Sequence, residues 1–216
     1  MVKVSSFEWN RQLFHIFLGI FLVLLLLYDG IIGGILFFLF GTTDSNNTFN
    51  SKNIILLLIA VGLVLSYASR KIKIPIIHQL LKKFELKEDL GAFPGKGILF
   101  YLIGACISLL LFSKDIAMAS IMVLALGDSI SHLFGIHYGK TKHPLSKTKF
   151  LEGTIAGFAM GFIGAFVFLP WHEAFFASLA AMIVEAIEIN IGTHQVDDNL
   201  IVPFVAGAAV WIVRLF

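Results

Sequence analysis

The sequence predicts an all-α fold, a polytopic transmembrane helical bundle formed by residues 1–216 as a single integral-membrane domain. Three observations lead there. Hydrophobic residues make up 58% of the 216 and charged residues only 14%, with a mean hydropathy of +0.90, so the core of this chain belongs in lipid. The apolar residues fall in runs that approach or reach the ~20 residues of a bilayer-crossing helix. The cations gather in some connections and are sparse in others, the pattern left by loops that alternate between the two sides of a membrane.

Taken in order, the first run, Leu13 to Tyr28, carries His15 near its start, follows Arg11 and ends at Asp29-Gly30. No small-residue cleavage pattern follows it, so it is expected to remain as the first crossing. Ile31 to Phe40 is too short to cross alone and is expected to be a short re-entrant helix. The second crossing, Ile54 to Ala68, leads into a segment at about residues 70–96 that holds Arg70, Lys71, Lys73, Lys82, Lys83, Lys87 and Lys96 against Glu85, Glu88 and Asp89, which reads as cytoplasmic. Ile98 to Phe112 and Ile116 to Leu126 come next, and a second basic segment at about residues 136–150 carries Lys140, Lys142, Lys147 and Lys149. Ile155 to Leu169, Ala174 to Ala186 and Leu200 to Phe216 complete about seven crossings, with the N-terminus cytoplasmic and the C-terminus outside.

The one cysteine, Cys106, rules out an internal disulfide and a cysteine metal cluster. A net charge of +2 and the absence of any sizeable polar domain make the cations a belt that meets acidic headgroups or a nucleotide, and no nucleic-acid surface is expected. No internal repeat is visible.

Chemistry is expected where polar residues interrupt the apolar pattern. Asp128 stands behind eight or more apolar residues, and an ionisable group in such a place is functional by default. Asp128, Ser131, His132 and Gly135 fall at i, i+3, i+4 and i+7, one stripe if the helix continues; taken alone, His132 reads as a core histidine. Glu8, Arg11, His15 and Gly19 share a face of the first helix, either as a site or as an interfacial Glu8–Arg11 salt bridge. Glu185 and Glu188, with Asp197, Asp198 and Asn199, are five acceptors with no Lys or Arg near them in sequence, which points to a divalent cation. Gly135 to Thr141 imitates a phosphate loop but has three residues between its glycines and follows an apolar helix, so it is not a Walker site.

Together these residues resemble the membrane-embedded CTP-dependent lipid-alcohol kinases, the family of dolichol (polyprenol) kinase, phytol kinase and the CTP-using diacylglycerol kinases. The resemblance runs from Glu8-x-x-Arg11-x-x-x-His15-x-x-x-Gly19 through Phe93-Pro94-Gly95-Lys96-Gly97. It is strongest at Gly127-Asp128 to Gly135, Gly139-Lys140, Lys149 and Glu152-Gly153, and closes with Asp198-Asn199-Leu200 and Pro203. It is more distantly similar to the phosphatidate cytidylyltransferases. The chain departs from the family pattern at Phe150, where a small hydroxyl residue is usual, and at Ile136 and Gln12.

The resemblance implies transfer of the gamma-phosphate of CTP to the terminal hydroxyl of a long isoprenoid alcohol, with Mg2+, at a site facing the cytoplasm from the cell membrane or endoplasmic reticulum membrane. On that expectation Asp128, Lys149, Glu152 and His15 are catalytic. Lys140, Lys147, Thr148, Arg11, Lys96, Gly135 and Gly139 contact the nucleotide phosphates, with either Lys147 or Lys149 as the main contact. The metal falls to Asp128, Asp198, Asn199, Glu185 and Glu188. The glycines at 153, 157, 161 and 164 would leave a groove for the lipid tail. Two competing readings use the same residues: a cytidylyltransferase acting on a lipid phosphate, and a cation- or proton-coupled transporter.

Overall fold

In a computed structural model of the chain, the residues described are 4–31, 34, 51–71, 75–85, 87–146, 148–187, 190–191 and 194–216. The architecture is helical, with a two-residue antiparallel pairing, Asn190–Ile191 with His194–Gln195, as the minor exception. In chain order the helices are α1 (Ser6–Leu27), α2 (Ser51–Lys71), α3 (Pro75–Phe84), α4 (Lys87–Ala92), α5 (Lys96–Leu111), α6 (Lys114–Met122), α7 (Ser129–Tyr138), α8 (Leu151–Phe166), α9 (Trp171–Glu185) and α10 (Asp198–Val213), with a π-helical turn, Val123–Asp128, joining α6 to α7. A helix stands at each of the seven apolar runs. The expected re-entrant piece at 31–40 lies, but for Ile31 and Gly34, outside the described residues.

Three helical stretches are long and apolar enough to cross a membrane: Ser6–Leu27, Lys52–Lys71 and the continuous Lys114–Tyr138; Lys96–Leu111, Leu151–Phe166 and Asp198–Val213 are shorter apolar helices. At 1.5 Å per residue the 22 residues of α1 reach about 33 Å, enough for a hydrocarbon core of ~30 Å. Its start is set by Ser5, whose hydroxyl accepts the Glu8 N–H at 3.2 Å, with Glu8 at the third helical position as in a capping box.

The other two long stretches differ in burial. The most apolar window of Lys114–Tyr138 is 72% buried and that of α2 only 11%, so the α6–π–α7 rod is the bundle's centre and α2 its lipid-facing edge. Backbone approach explains how the rod is enclosed. The glycine stripe of α8 lies directly on it: a Cβ on Gly157 would stand 2.7 Å from the Gly127 carbonyl oxygen, and one on Gly153 2.5 Å from that of Ser131. The stripe is therefore filled by a helix, and the expected groove for a lipid tail is not there. On the other side, Gly19 of α1 admits Ala125 and the Tyr101 hydroxyl, and Gly104 of α5 touches the Asn199 carbonyl at the start of α10.

Two expected loops are structured. The segment at 70–96 contains α3 and α4, and α3 packs on α1 with Phe84 stacked on Phe14 at 4.8 Å. The second basic segment begins later than expected, because α7 runs to Tyr138. It folds back on itself: Leu151 N–H donates to the Thr141 carbonyl and His143 N–H to that of Lys149, each at 3.0 Å.

Candidate functional site

A cavity of about 400 Å3 opens at one end of the bundle. It is bounded by the second and third turns of α1, by the first turns of α5 and α10, by the last turn of α9, by the α3–α4 connection, and by Asp128 and His132 of the central rod.

At its heart three carboxylates meet. One oxygen each from Asp128, Glu185 and Asp198 lies within 4.8 Å of the others. Asp128 closes the π-helical turn, a local widening that recurs at functional sites. Glu185 ends α9, almost wholly buried, and Asp198 opens α10. Lys149 reaches in from the basic loop to donate to Glu185 Oε1 at 2.7 Å and Asp198 Oδ2 at 3.0 Å, and also bonds the Glu185 carbonyl. Burial works against its ammonium, but the facing carboxylates outweigh burial and raise its pKa, so it stays charged. The acids at 185 and 198, which lack a basic neighbour in sequence, thus acquire one across 36 and 49 residues.

These atoms suit a hard divalent cation. Three carboxylates against one ammonium leave two negative charges uncompensated, Glu185 Oε2 is buried with no hydrogen-bond partner, and the nearby Asn199 Oδ1 is also buried and unpartnered. Oxygen-only donors of this kind match Mg2+. Asn199 gives its Nδ2 to Asp197 at 2.8 Å, which leaves its Oδ1 turned elsewhere. Glu188 lies outside the described residues.

The cations separate into those that line the cavity and those that do not. Arg11, Lys96 and Lys149 line it. Lys96 lies 3.7 Å from Asp89 and 4.0 Å from Asp197, whose own pKa is raised, by burial first and against the hydrogen bonds from Asn199 and the charge of Lys96. Lys140 is exposed and away from the lining, and Lys142 lies over the Phe150 ring at 4.1 Å. Lys147 lies outside the described residues, and Thr148 sits on the exposed loop, bonded to Ser146. Phe150, at the position where the sequence departs from the family pattern, is the floor on which Gly139 and Lys142 rest.

Other residues have different partners from those expected. Glu152 accepts the Thr141 N–H at 3.0 and 3.2 Å, so it pins the base of the basic loop and touches neither the carboxylates nor Lys149. Gly135 and Gly139 allow α7, Phe150 and α8 to close on one another. The Asp128 stripe splits: Asp128 and His132 face the cavity, while Ser131 and Gly135 face the glycines of α8. His132, read from sequence as a core residue, joins α7 to α1: its Nε2 is 3.0 Å from Glu8 Oε2 and 3.3 Å from Arg11 Nη2, and Glu8 also holds Arg11 at 3.1 Å. The anticipated Glu8–Arg11 salt bridge thus exists and borders the cavity at the same time. Gln12, Glu85 and Asp89 line it too; Gln12 stands out in the sequence only as a departure from the family pattern, and the two acids only as members of the basic segment.

An uncharacterised protein of Methanocaldococcus jannaschii is 34% identical over 149 residues, which cover 68% of this chain and 72% of that one. The chain belongs to that protein's family. Among its further homologues are lipid kinases that use CTP: CTP-dependent diacylglycerol kinase 1 of Schizosaccharomyces pombe is 26% identical over 130 residues, 54% of this chain and 60% of the kinase. Phytol kinase 1, chloroplastic, of Arabidopsis thaliana is 28% identical over 134 residues, 54% of this chain and 43% of the kinase. The match thus spans about half the length of these two kinases. No family model and no solved structure matches the chain.

Proposed function

We propose that the protein is a CTP-dependent kinase that phosphorylates the terminal hydroxyl of a long isoprenoid alcohol of the polyprenol or dolichol type. The observation that carries this reading is the convergence of Asp128, Glu185, Asp198 and Lys149 in a cavity at the end of an apolar bundle. A water-soluble triphosphate and a membrane-dissolved alcohol can meet only at such a boundary. The kinases among its homologues act with CTP or on phytol by name, which supports both the donor and the isoprenoid class.

Charge makes the case for a metal. Six carboxylates, Glu85, Asp89, Asp128, Glu185, Asp197 and Asp198, line the cavity against the three cations Arg11, Lys96 and Lys149. A polyphosphate entering that field is repelled unless a divalent ion comes with it. Asp128, Glu185 and Asp198 would hold Mg2+, which would supply charge neutralisation on the phosphate oxygens. Phosphoryl transfer otherwise asks for positioning and electrostatic stabilisation, with little covalent help. Arg11, oriented by Glu8 and His132, and Lys96 bind phosphate oxygens, and Lys149 exchanges part of its carboxylate contact for the gamma-phosphate. Lys140, exposed on the loop, extends this basic surface. The cavity end, rich in Lys and Arg, faces the cytoplasm.

The test is an assay of purified protein with gamma-labelled CTP and each other nucleoside triphosphate, against short and long isoprenols and diacylglycerol. Labelled isoprenyl phosphate is expected from CTP with Mg2+, and none after chelation. Label released as pyrophosphate would support the cytidylyltransferase reading; diacylglycerol as sole acceptor would correct the substrate. No transfer to any acceptor, together with ion uptake into vesicles, would leave the transporter.

A further inference from the structure

Beside the carboxylates, on the side away from the basic loop, three polar atoms are buried without partners: Gln12 Oε1, His15 Nδ1 and the Tyr101 hydroxyl. Gln12 is 2% exposed, lies with His15 on one side of α1, and both line the cavity. Tyr101, fully buried on α5, meets the His15 ring edge-on at 5.4 Å. Its hydroxyl projects toward Gly19, where a Cβ would stand 2.5 Å away. Asp128 acts electrostatically on both His15 and Tyr101, and Ser129 Oγ donates to the Gln12 carbonyl at 3.5 Å, which ties this level of α1 to the end of the π turn.

Unpaired polar atoms in a low-dielectric interior are destabilising unless something completes them. The chemistry of these three is selective. An amide oxygen only accepts, an imidazole nitrogen donates or accepts according to tautomer, and a phenol does both. A phosphate oxygen has no proton to give the amide oxygen and would be repelled by Asp128. A neutral hydroxyl donates and accepts at once. The cavity thus has two polar zones: Arg11, Lys96 and Lys149 for an anion, and the uncharged side chains of Gln12 and His15 further along α1, with Tyr101 buried behind the His15 ring.

We infer that Gln12 and His15, with Tyr101 packed behind the imidazole, form the subsite that receives the hydroxyl of the acceptor alcohol, an assignment that rests on the kinase reading above. The test uses Gln12→Leu and the nearly isosteric Gln12→Met in the full-length protein, with geranylgeraniol as the probe. Each variant is expected to raise KM for the alcohol by at least about fivefold, the worth of one lost hydrogen bond, with KM for CTP held within about twofold. Independently of turnover, geranylgeraniol without nucleotide should raise the Tm of the wild type and raise that of the variants less. An unchanged alcohol KM and an unchanged ligand-induced Tm shift would overturn the subsite and leave the three atoms to internal water. A rise in the CTP KM as large as that for the alcohol would assign them to the phosphates. If the wild type phosphorylates no alcohol, the kinase reading falls, whereas the nucleotide-free Tm shift still reads the hydroxyl subsite by itself.

Discussion

The two ends of the bundle use the same residue types to opposite ends. Away from the cavity, Arg214 just beyond α10 donates to Glu173 at 2.8 Å and to Asp115 at 2.6 Å and reaches the Ser113 hydroxyl, while Lys114 pairs with Asp29 at 3.3 Å. Those charges complete one another and clamp the end of α10, the starts of α9 and α6 and the chain just beyond α1. At the cavity, one lysine serves two of three clustered carboxylates, and acceptor atoms of Glu185, Asn199 and Gln12 stay without partners. A closed network stabilises a fold; an open one is poised to take up a ligand.

That contrast can be broken most severely at Asp128. Asp128→Asn should lower phosphotransfer by about three orders of magnitude, the scale seen when a group stabilising transition-state charge is lost, with Tm little changed because no hydrogen-bonded partner among the described residues is stranded. Normal turnover by this variant would remove Asp128 from the reaction. Lys149→Met should cost about a hundredfold in kcat and also lower stability, since it leaves the buried Glu185 unpaired, by about 3 kcal/mol. Adding Glu185→Gln should restore much of the stability and none of the rate, read by denaturation in detergent beside the kinase assay.

At the closed end the balance should reverse. Arg214→Ala, which strands the buried Glu173, should destabilise by about 1–3 kcal/mol and leave both KM values alone; a selective rise in either would show that the two ends communicate. The smallest effect concerns Glu85, buried at the cavity rim, where its Oε1 accepts the Gly97 N–H at 3.1 Å. Burial raises its pKa above 4.5, against the hydrogen bond from Gly97. The folded state therefore holds this proton more tightly than the unfolded one, and stability falls as pH rises from 4.5 through the raised value. Glu85→Gln, which keeps the acceptor, should raise Tm at pH 7 slightly and lose that advantage as pH approaches 4.5; a pH-independent gain would contradict the assignment.

The helices were legible because lipid imposes the simplest code in protein structure, a run of apolar residues of fixed length. The acids at 128, 185 and 198 were legible for the complementary reason: a carboxylate among apolar residues must have a purpose. Partner choice was not legible. Lys149, Lys140 and Lys142 look alike along the chain, and only the fold-back of the loop onto Glu152 and Phe150 sends one into the cavity and leaves the other two outside. His132 was missed because its partners lie 121 and 124 residues away. The α8 glycines signal close approach of another helix, but which helix approaches depends on the global packing.

The wide turn between α6 and α7 has an engineering consequence. Such turns absorb one residue more than the regular winding, so substitutions that force Val123–Asp128 into ordinary α-helix at unchanged length would swing everything beyond it by about 100°. His132 would leave Glu8, and the face meeting the α8 glycines would be exchanged for a bulkier one. A variant straightened in this way would keep an apolar helix of nearly the same hydropathy yet turn the residues beyond Asp128 away from the cavity, a change that hydropathy profiles would never flag.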